Sequence, residues 1–238
     1  MADLTFTARG NVHTGNNQTS YSTAAFTPGA TKLLIAIVQH SVAAAPNTPT
    51  ISGHGTWTQI ATYVNDTAGT QVRLTLFAII TSASPSSAAV TVDFGAQQQT
   101  ACNMEVFEVG ESVTSSVGAA IIQNKTGTVD TSGTSDTLTL NSALGNSANA
   151  FVGGFTHQVQ EAHSASVGII IAQGNQAGPS NCLSVLYNIG GNSGGVTWTT
   201  SATKGSIGCE VVNVTPAAAV FPRVIKNAMQ AVQRAATR

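Results

Sequence analysis

One run of strands is written twice in this chain, and that repetition limits its fold more than any other feature. Leu74-Thr-Leu-Phe-Ala-Ile-Ile80, Val90-Thr-Val-Asp-Phe94 and Met104-Glu-Val-Phe-Glu-Val109 return in order as Leu183-Ser-Val-Leu-Tyr-Asn-Ile189, Val196-Thr-Trp-Thr-Thr200 and Cys209-Glu-Val-Val-Asn-Val214. Upstream, Leu33-Leu-Ile-Ala-Ile-Val-Gln-His40 is answered by Ala150-Phe-Val-Gly-Gly-Phe-Thr-His157, which aligns His40 with His157. The apolar runs and their order are kept while the loops between them change length. The repeat predicts a duplicated strand unit with copies at about 21–111 and 134–215. In this alignment Glu210 repeats Glu105, and Asn213 stands where Glu108 does.

The runs are short and closed by turn residues, as strands of a sandwich or barrel are. Residues 4–9 alternate apolar and polar, and a polar loop is expected over 10–20. The strand pattern resumes at 22–27 and stops at Pro28-Gly29, a turn dipeptide. Residues 33–38 are continuously apolar, which suits a strand covered on both faces. Strands follow at 57–64, 72–80, 89–94 and 102–109, and 119–123 crosses between the copies. The second copy supplies 137–140, 150–157, 166–172 and the three repeated runs, with 166–172 in the place of the Trp57 strand. The expectation is an all-β, jelly-roll-like β-sandwich over 1–215, built from roughly twelve to fourteen strands. Two small stacked sandwiches are the alternative to one interlocked domain. A single domain is favoured because 110–133 carries no proline and no charge run.

The end of the chain obeys a different period. Phe221, Val224, Ile225, Ala228, Met229 and Val232 recur at the spacing of one helix face, with Pro222 in the first turn. Arg223, Lys226 and Arg234 take the opposite face. A short amphipathic helix is expected within a tail at 216–238, and those nine face residues are its candidate partner-binding set. The cations of this tail have no acid among them, so the remaining chain is acidic. An acidic body with a basic tail is an arrangement for contact.

Composition excludes several classes. The formal charge is −1, without the broad basic surface that general nucleic-acid binding needs. Charged residues make up 8%, about a third of the usual ~25%, so the surface must be built from small polar side chains. No apolar run approaches the ~20 residues of a membrane span. The start has no basic and apolar leader, so synthesis in the cytoplasm without a secretory signal is expected. Cys102, Cys182 and Cys209 show no ligand spacing and are expected as buried, reduced thiols.

Motifs that could carry chemistry are few. Glycosidase chemistry needs two carboxylates flanking one bond. Glu105 and Glu108 have opposite parity along a strand and are expected to diverge. His157 and His163 are six residues apart with no Asp or Cys at a ligand spacing, so structural histidines and no metal are expected. The Gly-rich segment 190–195 lies between two strands and lacks the lysine of a phosphate loop and a following helix. Trp57 and Trp198 sit between threonines in alternating runs and are expected in the core, with sugar stacking as the rival role. No catalytic residue and no cofactor is assigned.

The order of Phe26-Thr-Pro-Gly-Ala30, the apolar strand 33–38, Thr56-Trp-Thr-Gln-Ile60, Arg73-Leu-Thr-Leu-Phe-Ala78, Val90-Thr-Val-Asp-Phe94 and Glu105-Val-Phe-Glu-Val-Gly110 resembles the β-sandwich domains of tailed-bacteriophage virion proteins. Capsid decoration and tail or fibre-associated proteins are the members meant, and the likeness spans about 21–214. It implies a non-enzymatic structural subunit present in many copies on a virion. Its partners would be other capsid or tail proteins and further copies of itself, with a host glycan as a possible ligand. A carbohydrate-binding module of a tail or fibre is the alternative function, and a glycoside hydrolase stands behind it.

Overall fold

The computed structural model describes residues 2–43, 45–65, 71–127, 132–177 and 180–214. The expected helical tail and its partner-binding residues lie outside them. The first copy comprises β1 (Thr5–Thr14), β2 (Ser20–Ser22), β3 (Leu33–Val42), β4 (Thr50–Ser52), β5 (Thr58–Asn65), β6 (Gln71–Ile80), β7 (Thr91–Asp93) and β8 (Ala101–Gly110). A helical turn, α1 (Val117–Ala120), then leads into β9 (Ile121–Thr126), β10 (Ser132–Thr139), β11 (Ala150–His157), β12 (Ser164–Val167), β13 (Ile169–Ala177), β14 (Ser180–Ile189) and β15 (Ser193–Val211).

In the first copy a large antiparallel sheet runs β1-β8-β3-β6-β5, and a small one runs β2-β7-β4. Successive strands alternate between the sheets for most of the chain, which is the jelly-roll order. The second copy repeats it strand for strand. β15 is one 19-residue strand that serves both sheets. Its later half pairs with β11 and β9, giving a large sheet β9-β15-β11-β14-β13. Its earlier half pairs with β10 and β12, giving the small one.

The large sheets of the two copies face each other. Leu33, Ile35, Ile37, Leu74, Leu76 and Phe107 meet Val152, Leu183, Val185, Ile207, Cys209 and Val211 in one buried cluster. Each small sheet covers the outer face of its own large sheet. Tyr21, Val90, Val92 and Phe94 close over Ala36, Val38 and Met104 in the first copy. Leu138, Val196 and Trp198 close over Phe151, Phe155 and Leu186 in the second. The result is four layers, with β3 and β11 in the middle and buried on both faces, as the unbroken apolar run of residues 33–38 requires. The central contact is reciprocal: β1 packs on β13 as β5 packs on β9, and β8 meets β13 as β15 meets β5.

Close approach of the middle sheets is written in Gly154. A methyl group there would lie 2.6 Å from Cγ2 of Ile37 on the opposite sheet. Its neighbour Gly153, with Gly194 and Gly208, clears space for the ring of Phe151, which would collide with a side chain at any of the three.

Three local expectations are corrected. The loop expected from Gly10 is strand as far as Thr14, because a bulge between Ala8 and Gly10 lets β1 keep pairing with β8. The run at 22–27 is mostly irregular: only Ser20–Ser22 is a strand, and Phe26 makes a lone bridge to Ala88. The crossing at 119–123 begins as α1, capped by the Ser116 hydroxyl accepting from the Ala119 N–H at 3.1 Å, before β9 starts at Ile121.

Candidate metal centre

Glu105 lies on the face of β8 shared with Phe107 and Val109, between the two large sheets. Its Oε1 is 2.9 Å from Nε2 of His13, a charge pairing not aligned as a hydrogen bond. Burial opposes protonation of His13, but the Glu105 carboxylate and the Asn103 amide together hold its pKa above the usual imidazole value. Glu108 points to the other face of β8, where it meets Arg9 at 3.1 Å and accepts from the Gly29 N–H at 2.8 Å. The two carboxylates therefore diverge, as their parity demands. A groove of about 410 Å³ between β1 and β13 is lined by Arg9, Asn11, Glu105 and Gln173, with no second acid among the described residues that line it.

Register also corrects the alignment of the acids. With His40 aligned on His157, Leu34 corresponds to Phe151. Leu34 pairs with Glu108 and Phe151 pairs with Glu210, so Glu210 repeats Glu108 and not Glu105. Fully buried Glu210 accepts from the Gly145 N–H at 2.8 Å, the Asn149 amide at 2.6 Å and the Gln123 amide at 2.5 Å.

The histidines have different surroundings in the two copies. His40, at the end of β3, is fully buried, with Nδ1 2.8 Å from the Gln99 amide oxygen and its ring against Phe94. Burial drives its pKa down to about 3. Across from it on β6 is Arg73, which donates to the Pro46 carbonyl and to the Thr62 hydroxyl. His157 holds the matching place at the end of β11, but the residue across from it on β14 is Cys182. His163, just before β12, turns its ring onto His157 at 4.4 Å, and Trp198 of β15 covers both rings at 4.7 and 5.2 Å.

No protein-family model, curated protein or solved structure matches this chain. What the cluster can do therefore rests on its geometry. The ligand atoms of His157, His163 and Cys182 lie within 4.8 Å of one another, and all three side chains are buried. Among the described residues, neither ring nitrogen of His157 has a hydrogen-bond partner, and Nε2 of His163 has none either. An unpaired polar group in such a place costs about 1–3 kcal/mol. Ser184 donates to the Gln173 amide oxygen at 2.9 Å and lies 2.7 Å from Nδ1 of His163. Its one proton being given to Gln173, it accepts from His163, so Nδ1 carries the hydrogen and Nε2 is a bare lone pair. Burial holds the His163 pKa down at about 3, so it is no base for Ser184 near neutrality. Burial also pushes the Cys182 thiol up to about 12.

A cysteine joins the histidines although none stands at a ligand spacing from them along the chain. Cys182 reaches His157 through the pairing of β11 with β14, a relation that spacing along the chain does not contain. Trp198, 7% exposed, has no face free for a sugar. Trp57 is half-buried, and its indole N–H is committed to the Gly53 carbonyl at 2.7 Å.

Proposed function

We propose that this chain is a structural subunit of a tailed-bacteriophage virion, a capsid decoration or similar accessory protein present in many copies. The observation that carries the reading is the disposition of the polar groups: both Glu105 and Glu210 are buried and engaged, and Glu105 and Glu108 face away from each other. A stack of four sheets whose polar chemistry is turned inward suits a rigid building block better than a catalyst. Repeated modest interfaces then add avidity without bond chemistry. The sugar-binding alternative is weakened by the placement of both tryptophans.

In this reading the basic tail at 221–238 docks between subunits or onto the underlying particle, its apolar stripe buried and its cations toward acidic neighbours. Deleting residues 221–238 tests it. The expected result is a sandwich that melts within a few degrees of the full chain but no longer joins particles or oligomers. A truncated chain that melts much earlier as a monomer, yet still assembles, would overturn the docking role. Electron microscopy of labelled particles would locate the subunit, and a glycan array would expose a sugar-binding function in its place.

A further inference from the structure

We propose that His157, His163 and Cys182 bind one thiophilic closed-shell cation, Zn(II) or Cu(I), which clips the two sheets of the second jelly roll together at one end. Imidazole with thiolate is the donor set these ions take. The three ligands come from three elements: the end of β11, the turn entering β12, and the start of β14. β11 and β14 belong to the large sheet and β12 to the small one, so a shared ion would join the layers.

The two copies differ at this place. In the first, Nδ1 of His40 is paired with Gln99 while its Nε2 is unpaired, and the place across from it is held by a cation, Arg73. In the second, fully buried His157 has no hydrogen-bond partner at either nitrogen; a thiol has replaced the cation, and a second imidazole faces it. Bonds to zinc of about 2.0–2.3 Å place neighbouring donors roughly 3.3–3.7 Å apart. Donors now within 4.8 Å need side-chain shifts of about an ångström to close on an ion.

Binding releases the Cys182 proton to solvent and leaves a metal–thiolate bond. With Cu(I) the pair is neutral and three ligands suffice. With Zn(II) one positive charge remains, and the fourth position is open to water, since Ser184 Oγ is held on the Nδ1 side of the His163 ring. Trp198 over both imidazoles is a built-in reporter.

The test uses the full chain, stripped with chelator and titrated anaerobically with Zn(II), with Co(II) as its coloured stand-in, and with Cu(I). One equivalent is expected to bind, with a Co(II)–thiolate charge-transfer band, a rise in melting temperature, and a change in Trp198 emission in a Trp57→Phe background. Cys182→Ser is expected to abolish the band, and His163→Ala to weaken binding at least tenfold, while Cys209→Ala keeps both. Competition between Zn(II) and Cu(I) identifies the preferred ion, and either preference supports the site. A wild-type chain that retains neither ion, or a folded Cys182→Ser chain with the full band, would overturn it. Should Cys182→Ser fail to fold, X-ray absorption on the wild-type complex decides: a sulfur neighbour supports the site, and its absence refutes it.

Discussion

Glu210 stands in the second jelly roll where Glu108 stands in the first, and each holds the backbone N–H of a loop glycine at 2.8 Å, Gly145 in one case and Gly29 in the other. A buried acid that ties the loop entering β3 or β11 to the last strand of its large sheet is thus a repeated device. The two are not equally costly to lose. Glu210→Ala leaves the Gly145 N–H and the Asn149 amide without this acceptor, takes from Gln123 the shortest of its three, and is expected to cost about 3–4 kcal/mol. Glu108→Ala removes one backbone bond and a pairing with a third-exposed Arg9, and is expected to cost about 1–2 kcal/mol. Urea unfolding of both variants measures the difference, and equal losses would contradict this ranking.

Gly154→Ala should wedge the middle sheets apart. The added methyl meets Ile37 of the facing sheet, and overpacking of this kind costs about 1–3 kcal/mol. Ile37→Ala on the same chain is expected to recover part of the loss. A double-mutant cycle without coupling would mean that the sheets relax elsewhere.

Acid should weaken the fold through His40. Its folded pKa of about 3 lies below the unfolded value, so the unfolded chain takes up the proton first as pH falls. The contribution is complete above pH ~6.5 and is lost toward pH ~3 at about 1.4 kcal/mol per pH unit. His40→Gln should flatten that slope in unfolding curves at pH 7, 5 and 4. His13 acts with the opposite sign. Its pKa is raised in the fold, so its pairing with Glu105 stabilises at low pH and is lost as pH rises through the folded value.

Thiol chemistry should report on unfolding alone. Cys102, Cys182 and Cys209 are buried, and burial raises the pKa of each, to about 12 for Cys182 and Cys209. Because the thiolate is the reacting form, alkylation followed by mass spectrometry should find no adduct on the native chain and three on the denatured one. Rapid native labelling of Cys209 would place it outside the central core.

Most of the large-sheet strands could be read from the sequence because they are long and apolar: β3, β6, β8, β11 and β14 all fall on runs that burial on two faces makes continuous. The small sheets were harder. β2 and β4 are three residues each and lie in polar stretches, where only pairing with β7 defines a strand. Glu210 was aligned on the wrong acid because Met104-Glu-Val-Phe-Glu-Val109 contains Glu-Val twice, and letters alone do not choose between them. The cluster at His157 was hidden for a related reason: its cysteine is adjacent in register and remote in sequence.

The reciprocal packing of β1 on β13 and β5 on β9 has a consequence for the molecule's symmetry. Contacts in which each copy offers the same patch to the other are those of an isologous two-fold dimer. Here the two protomers are fused head to tail, with residues 111–120 as the tether between them. Either jelly roll alone would leave Leu33, Ile35 and Ile37, or Val152, Val185 and Ile207, bare in water. Separated, the halves would find each other again as a heterodimer, and a chain carrying a single copy could bury that face only against its twin.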